Sequence, residues 1–351
     1  MTKNLPKIAL IILNHNGKHI LDETLASSFN QSYPNLKIYV ADSASVDGSL
    51  EYLAINYPKA IVLSSKEDLG ITGICNFAAN LINDCDYYVF LSNDILLDKH
   101  CIKELVTTVT SNPNAGIVTS VMIKYGQKQV TTNPIDSAGY SMDLFGFISP
   151  NNHDLPFNSL SKSTFETYAS CGTSFIISRK LFHQIGGFDN KFWGFSDDID
   201  LSWRVRLLGY KVLVNPKSHV YHHQSVTLSK NKRSRNRFLS EKNILRMLLK
   251  NYSLLSLLTI IPLYIILELA EILFFTIMFQ PHLAYSIIRA IYWNVSNLQN
   301  TLYERNKIQN LRRVSDLSIL KKIFWGSYKV KIIPLYIKSI IKVPKPAASL
   351  S

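Results

Sequence analysis

The sequence predicts an α/β protein, with a mostly parallel central sheet, flanking helices, and a helical region at its C-terminal end. Three observations carry this. Short apolar β-type runs alternate with segments of helical spacing over the first hundred residues or so. Polar turns follow the carboxyl ends of those runs. Beyond Ser253 the apolar residues gather into long stretches between basic ones. A chain of 351 residues has room for one large domain and an appendage, and the boundary is expected at 1–228 and 229–351.

Lys7–Leu13 is the first strand. It is too short for a secretion signal, and Asn14-His-Asn-Gly17 breaks it where a small-residue cleavage site would stand. Ile20–Asn30 has helical spacing, Leu36–Ala41 is the second strand, Ala60–Ser64 the third and Asp86–Leu91 the fourth. Helices fall at Leu50–Asn56, Gly73–Ile82 and Lys99–Ser111. Strands alternating with helices indicate parallel pairing through right-handed crossovers. In such sheets ligands bind beyond the carboxyl ends of the strands. The turns Asn14–Gly17, Asp42–Asp47 and Ser92–Asp94 therefore open onto one edge.

Residues 112–170 are less regular and are expected to extend the sheet and shape an acceptor side. Thr167–Ser178 reads as a strand leading into a helix at Arg179–Ile185. Leu201–Leu208 is a helix closed by Gly209, and Tyr210–Asn215 is a short strand followed by His219, His222 and His223.

The formal net charge of +13 suggests anionic partners: nucleotides, lipid head groups or nucleic acid. No nucleic-acid module is recognisable, so nucleic acid is not expected. The four cysteines show no metal spacing and read as reduced thiols. There is no GxGxxG fingerprint and no GxxxxGK[ST] loop, which argues against dinucleotide oxidoreductases and P-loop NTPases.

Four features carry chemistry. Asp68-Leu-Gly70-Ile-Thr-Gly73-Ile-Cys-Asn76 places glycines before a helix, where bare amides can approach a pyrophosphate. Asp94, at the tip of an apolar strand, is placed to hold a divalent cation, or else to satisfy its own turn. His222 is within reach of that edge, and a neutral imidazole suits Mn²⁺ as well as a structural role. Asp197, Asp198 and Asp200 crowd three carboxylates into four residues beside an aromatic cluster. Helix capping explains most such triplets. Upstream turns that all face one edge shift the balance toward metal ligation or proton transfer.

Taken in order, these stretches resemble glycosyltransferase family 2, in particular its rhamnosyltransferase-like and galactofuranosyltransferase-like members. The matching pieces are Leu10-Ile-Ile-Leu-Asn-His-Asn-Gly17, Asp42-Ser-Ala-Ser-Val-Asp-Gly48, Asp68-Leu-Gly-Ile-Thr-Gly73, Phe90-Leu-Ser-Asn-Asp94, Gly186-Gly-Phe-Asp189 and Asp197-Asp-Ile-Asp-Leu-Ser-Trp-Arg204. The resemblance covers residues 7–225. It implies an A-type glycosyltransferase fold and inverting transfer from a nucleoside-diphosphate sugar, with Mg²⁺ or Mn²⁺ on the diphosphate. By position it implies Asp94 and His222 at the metal, Asp198 as general base and Asp197 beside it. Asn14, Asp42, Gly70, Gly73, Asn76, Asn93 and Trp193 fall on the donor side, with Asp42 at the base and Trp193 near the sugar. The chain departs from the family pattern where Ser92 replaces the first acid of the DxD motif and Asp197 stands where many members have Glu. His223 adjoins His222, and either fits as the ligand.

The segment Ser253–Phe279 is strongly apolar but contains Pro262, Glu268 and Glu271, the two glutamates on one helix face. Its uninterrupted part is short of the roughly 20 residues that span a bilayer. Both flanks are basic, which places both on the cytoplasmic side. An in-plane or re-entrant hairpin with Leu283–Leu298, anchored on an anionic membrane surface, is therefore expected over a transmembrane helix. A buried bundle or a dimer surface, hence a homo-oligomer, is the alternative. The whole reads as a glycosyltransferase on the cytoplasmic face of the cell membrane, acting on a lipid-linked or glycan acceptor. Its rivals are a catalytically inactive nucleotide-sugar-binding protein on that surface, and a basic membrane-interaction protein whose α/β domain is only a scaffold.

Overall fold

The computed structural model describes residues 5–125, 133–172, 174–223, 230–331 and 333–334. The first half follows the predicted alternation: β1 (Ile8–Asn14), α1 (Leu21–Phe29), β2 (Leu36–Ser43), α2 (Ser49–Asn56), β3 (Ile61–Ser65), α3 (Gly70–Leu81) and β4 (Tyr87–Ser92). β1 is paired on both sides, in parallel with β2 and with β4. Its two faces enter different cores. Ile8, Leu10 and Ile12 pack with α1 and with α4 (Cys101–Ser111), while Ala9 and Ile11 pack with α3. A strand covered on both faces needs apolar residues at every position, which is why this run shows no alternation. Each fully buried aliphatic side chain contributes about 1.5–3 kcal/mol.

The second half adds antiparallel strands to the predicted parallel ones. Its strands are β5 (Ile95–Leu97), β6 (Ala115–Lys124), β7 (Ile135–Ser137), β8 (Tyr140–Met142), β9 (Ile148–Pro150), β10 (Phe165–Thr167), β11 (Ser174–Ser178) and β12 (Lys211–His222). The ten-stranded sheet runs β10-β12-β6-β11-β4-β1-β2-β3, with β5 on β12 and β7 on β6. It is mixed, because β11 lies antiparallel between β4 and β6, while β6 and β12 are parallel. The stretch expected as one strand over Thr167–Ser178 breaks in two. β10 pairs with β12 at the edge and β11 enters the middle of the sheet, so residues 168–172 must cross between them. β12 is longer than expected because a register shift between Asn215 and His219 absorbs Pro216, and pairing then resumes as far as His222. β8 and β9 form a separate hairpin.

α5 (Arg179–Gln184) and α6 (Asp197–Leu207) cover the sheet face opposite α1 and α4. α6 starts at Asp197, four residues before its apolar periodicity begins at Leu201. The C-terminal helices are α7 (Lys230–Asn251), α8 (Leu254–Ile277), α9 (Pro281–Ser296), α10 (Leu298–Leu311) and α11 (Asp316–Leu320). They share a core with α6: Trp203 and Leu207 pack with Leu248, Tyr252, Ile260 and Tyr264. α8 and α9 form a helical hairpin, and α8 is long and apolar enough to cross a membrane by length and composition. Glu268 and Glu271 share one face of α8, where Lys329 binds both, and Arg237 also pairs with Glu271. The opposite face is uncharged and open, with Leu255, Leu258, Ile266 and Leu273 each at least 60% exposed.

Candidate active site

The ends of β1, β2 and β4 are tied by one chain of side-chain hydrogen bonds. Asn93 Nδ2 donates to Asn14 Oδ1 at 3.1 Å, and Asn14 Nδ2 donates to Asp42 Oδ1 at 2.7 Å. Asp42 also accepts from the Ser45 hydroxyl at 2.6 Å and the Ser45 amide at 3.0 Å, and is fully buried. Its carboxylate thus holds the 42–48 turn in place and forms the floor beneath it. Gly17 closes over this chain, and a Cβ there would fall 2.2 Å from Asn93 Nδ2.

Gly70 has φ +63°, and a Cβ on it would meet the Trp193 ring at 2.7 Å. The next amide, Ile71, donates to the Trp193 carbonyl at 2.9 Å. The start of α3 is therefore docked on the loop before α6. The Gly70 amide is spent on Asp68 at 3.0 Å. Gly73 lies inside α3, where a Cβ would crowd Leu69. Asn76 clamps the following loop, donating to the Phe188 carbonyl and to Asn190 while accepting from the Phe188 amide. These three residues shape the wall around Trp193, which is itself 37% exposed.

Asp94 and His222 meet where β5 pairs with the end of β12, with Asp94 Oδ2 3.3 Å from His222 Nε2. The other ring nitrogen of His222 is held by Asp136 on β7, at 2.8 Å. A carboxylate behind a histidine is the usual means of fixing the tautomer of a metal ligand. Burial alone would push the His222 imidazole down, but Asp136 and Asp94 outweigh it and lift it to about 9. His223 turns the other way, with Nε2 2.8 Å from Glu23 and its ring against Tyr125. One carboxylate and one imidazole converge here, with Asp136 behind the imidazole, and once a cation displaces the His222 proton they are a donor set suited to a small divalent ion such as Mn²⁺. Sequence inspection missed Asp136, because only the pairing of β7 with β6 brings it there.

The loop before α6 is strained. Trp193, Phe195 and Ser196 have φ of +68°, +65° and +58°. Such non-glycine residues cost on the order of 1–3 kcal/mol each. Asn243 of α7 holds them in place: its Nδ2 lies 2.7–3.1 Å from the carbonyls of Phe192, Gly194 and Phe195. Nothing local in the sequence marks this clamp.

The three carboxylates of α6 separate. Asp200 is fully buried against Arg204 at 2.9 Å, Lys250 at 3.1 Å and Asn251 at 3.0 Å. Burial would raise it, but Arg204 and Lys250 hold its carboxyl below the ordinary range. Asp189 is likewise taken by Arg246 and Lys250. Asp197 and Asp198 are half-buried and make no ion pair among the described residues. Burial, followed by the charge of Asp197, pushes Asp198 well above the usual carboxylate range. Burial also raises Asp197. Gly172 lies against Asp198, where a Cβ would come 3.0 Å from Oδ2.

A cavity of about 790 Å³ lies elsewhere, between the 183–191 loop and α10. Of the predicted site residues only Asn76 lines it. Its main cations, Arg204, Arg246 and Lys250, are already neutralised by Asp189 and Asp200. Chemistry rather than size therefore favours the strand ends and the start of α6 as the candidate site.

A mixed α/β sheet with polar strand ends, a carboxylate–imidazole pair and two unpaired acids at a helix start is the architecture of an A-type glycosyltransferase. The chain belongs to the family described as glycosyltransferase like family 2, whose profile matches residues 6–239. An uncharacterised glycosyltransferase of Rickettsia felis is 28% identical over 203 residues, covering 57% of this chain and 31% of that protein. The N-acetylglucosaminyl-diphospho-decaprenol L-rhamnosyltransferase of Mycobacterium tuberculosis is 23% identical over 245 residues, covering 64% and 78% respectively. The chain spans about a third or less of the length of the first curated relatives it matches. Among solved structures, GalNAc-T7 with UDP, GalNAc and Mn²⁺ superposes with a TM-score of 0.56 at 17% identity, covering 70% of this chain and 48% of that one.

Proposed function

We propose that this glycosyltransferase moves a sugar, with inversion, from a nucleoside-diphosphate sugar to a hydroxyl of a lipid-linked or glycan acceptor, with Asp198 as the base. The observation that carries this is the state of α6. In a chain of net charge +13, Asp198 has no cation partner among the described residues while Asp200, two residues on, has two. An unpaired carboxyl with a raised pKa is a competent proton acceptor near neutral pH. Asp198 takes the proton from the acceptor hydroxyl as its oxygen attacks the anomeric carbon opposite the leaving diphosphate. A single displacement of this kind inverts the centre and needs no protein nucleophile. Asp197 keeps Asp198 basic through its charge.

Asp94 and His222 would hold Mg²⁺ or Mn²⁺, with Asp136 orienting the imidazole. Bound there, the cation neutralises charge on the departing diphosphate. Asn14, Asp42 and Asn93 form the floor under the nucleoside. Gly70, Gly73 and Asn76 position Trp193 against the sugar. The rhamnosyltransferase relative, named for a diphospholipid acceptor, favours a lipid-linked acceptor.

Residues 1–228 carry the chemistry, and 229–351 hold it on the cytoplasmic face of an anionic membrane. The charges of α8 turn inward onto Lys329 and Arg237, which leaves its outer face free to lie in the lipid surface.

The test is release of nucleoside diphosphate from UDP-, GDP- and dTDP-sugars with Mn²⁺ and lipid extract as acceptor. Turnover with one donor is expected. Binding of a donor without turnover would instead indicate a binding protein that has lost catalysis.

A further inference from the structure

Between α7 and α9 runs an open groove of about 440 Å³, lined among others by Lys191, Trp193, Arg235, Lys242, Trp293 and Asn297. Three of its lining residues are cations and none is acidic. Lys242 is only 5% exposed. Its ammonium donates to the Lys191 carbonyl at 2.6 Å and lies 4.7 Å from the centre of the Trp293 ring. No carboxylate lies within ion-pairing distance of it among the described residues. The other buried cations of this region, Arg204, Arg206, Arg246 and Lys250, each have a carboxylate partner. A buried ammonium without counter-charge is costly. Its cost shows in the Lys242 pKa, which burial pushes down to about 8 despite the charge of Asp189, itself already paired with Arg246 and Lys250. An anion in the groove would supply the missing charge.

The position of the groove says which anion. One end is Trp193, which also lines the smaller groove beside Gly73 and Asn76 and precedes Asp198 by five residues. α7 and α9 continue away from it through Phe238, Arg289 stacked on that ring at 4.6 Å, and Tyr285. Ile288 and Tyr292 of α9, like the outer face of α8, are apolar and exposed. A ligand fitting this sequence of environments has a hydroxyl at one end, an acidic linker in the middle and a hydrocarbon tail.

We propose that this groove seats the phosphate groups of a lipid-linked acceptor, with Lys242 at its floor and Arg235 and Lys191 at its rim. The inference rests on the glycosyl-transfer reading and names where that acceptor is held.

The test titrates the full chain, in metal-free buffer, with farnesyl diphosphate, inorganic pyrophosphate and phosphatidylglycerol vesicles. It compares wild type with Lys242→Gln, Arg235→Gln and Lys242→Arg. The lipid diphosphate should bind about tenfold or more tighter than pyrophosphate, and each Gln variant should weaken it by about tenfold. Lys242→Arg should retain it. Binding of the nucleoside-diphosphate sugar with Mn²⁺ should be unchanged in all three variants, which separates loss of this site from loss of fold. Equal binding by wild type and the Gln variants would overturn the proposal. Pyrophosphate binding as tightly would make this a free-phosphate site, and vesicles competing phosphate for phosphate would make it a general head-group site. Either result would also overturn it. If wild type binds no donor at all, the transfer reading itself falls, whatever the groove holds.

Discussion

Asp198 and Asp200 stand two residues apart on one helix and live under opposite rules. Asp200 faces Arg204, Lys250 and Asn251 in the core shared by α6 and α7. Asp198 lies against Gly172 and forms no ion pair with a cation among the described residues. The same residue type, nearly the same backbone position and the same chain charge yield a structural ion cluster on one side and a chemically available carboxyl on the other. What differs is the partner element. α7 delivers Lys250 and Asn251 to one face of α6, while the other face meets only a glycine-bearing turn.

That contrast can be broken by substitution. The largest effect is expected for Asp198→Asn, which should lower turnover by roughly 10²–10⁴-fold, the usual contribution of a positioned base. Donor binding measured by calorimetry should survive. Asp200→Asn should instead cost about 3–5 kcal/mol in urea unfolding, since it strands Arg204 and Lys250 in a buried site. Asp136→Asn sharpens the picture at the other edge of the site. Losing the carboxylate behind His222 should weaken Mn²⁺ binding by about 10–100-fold, read by titrating donor turnover with metal.

The smallest effect concerns pH. A carboxyl raised above its ordinary value is still protonated where a normal one has ionised, so the base form of Asp198 is lost as pH falls through that raised value. Activity should therefore fall on the acid side at a higher pH than an ordinary carboxylate would give. Asp197→Asn removes the neighbouring charge, lowers the Asp198 pKa and should move that acid limb to lower pH, which a kcat profile against pH would read.

The parts legible in the sequence were those set by local pattern. β1 declares itself as a continuous apolar run, and the turns after β1, β2 and β4 fall on one edge because parallel strands point the same way. The carboxylate triplet Asp197, Asp198 and Asp200 stands out by composition, although the apolar spacing predicts a helix only from Leu201 and α6 begins at Asp197. What stayed hidden depends on chain segments far apart. The antiparallel insertion of β11 comes from residues whose periodicity resembles that of any strand. Asp136 reaches His222 only through the pairing of β7 with β6. Asn243 reaches the strained loop from α7, about fifty residues further on, and an asparagine inside a long basic helix carries no local sign of that task. The reading of Asn76 as a donor contact shows the same limit. It stands three residues after the Asp68–Gly73 motif, yet the nitrogen and the oxygen of its side-chain amide are both engaged by the 188–190 loop.

The most direct test of the contrast measures turnover and urea stability on the same preparations of Asp198→Asn and Asp200→Asn. Because ionising a carboxyl of raised pKa costs folded-state stability, Asp198→Asn should be at least as stable as wild type at neutral pH while losing its turnover. Asp200→Asn should lose stability, and whatever fraction remains folded should turn over donor. Equal loss of both properties in both variants, or an active Asp198→Asn, would contradict the account.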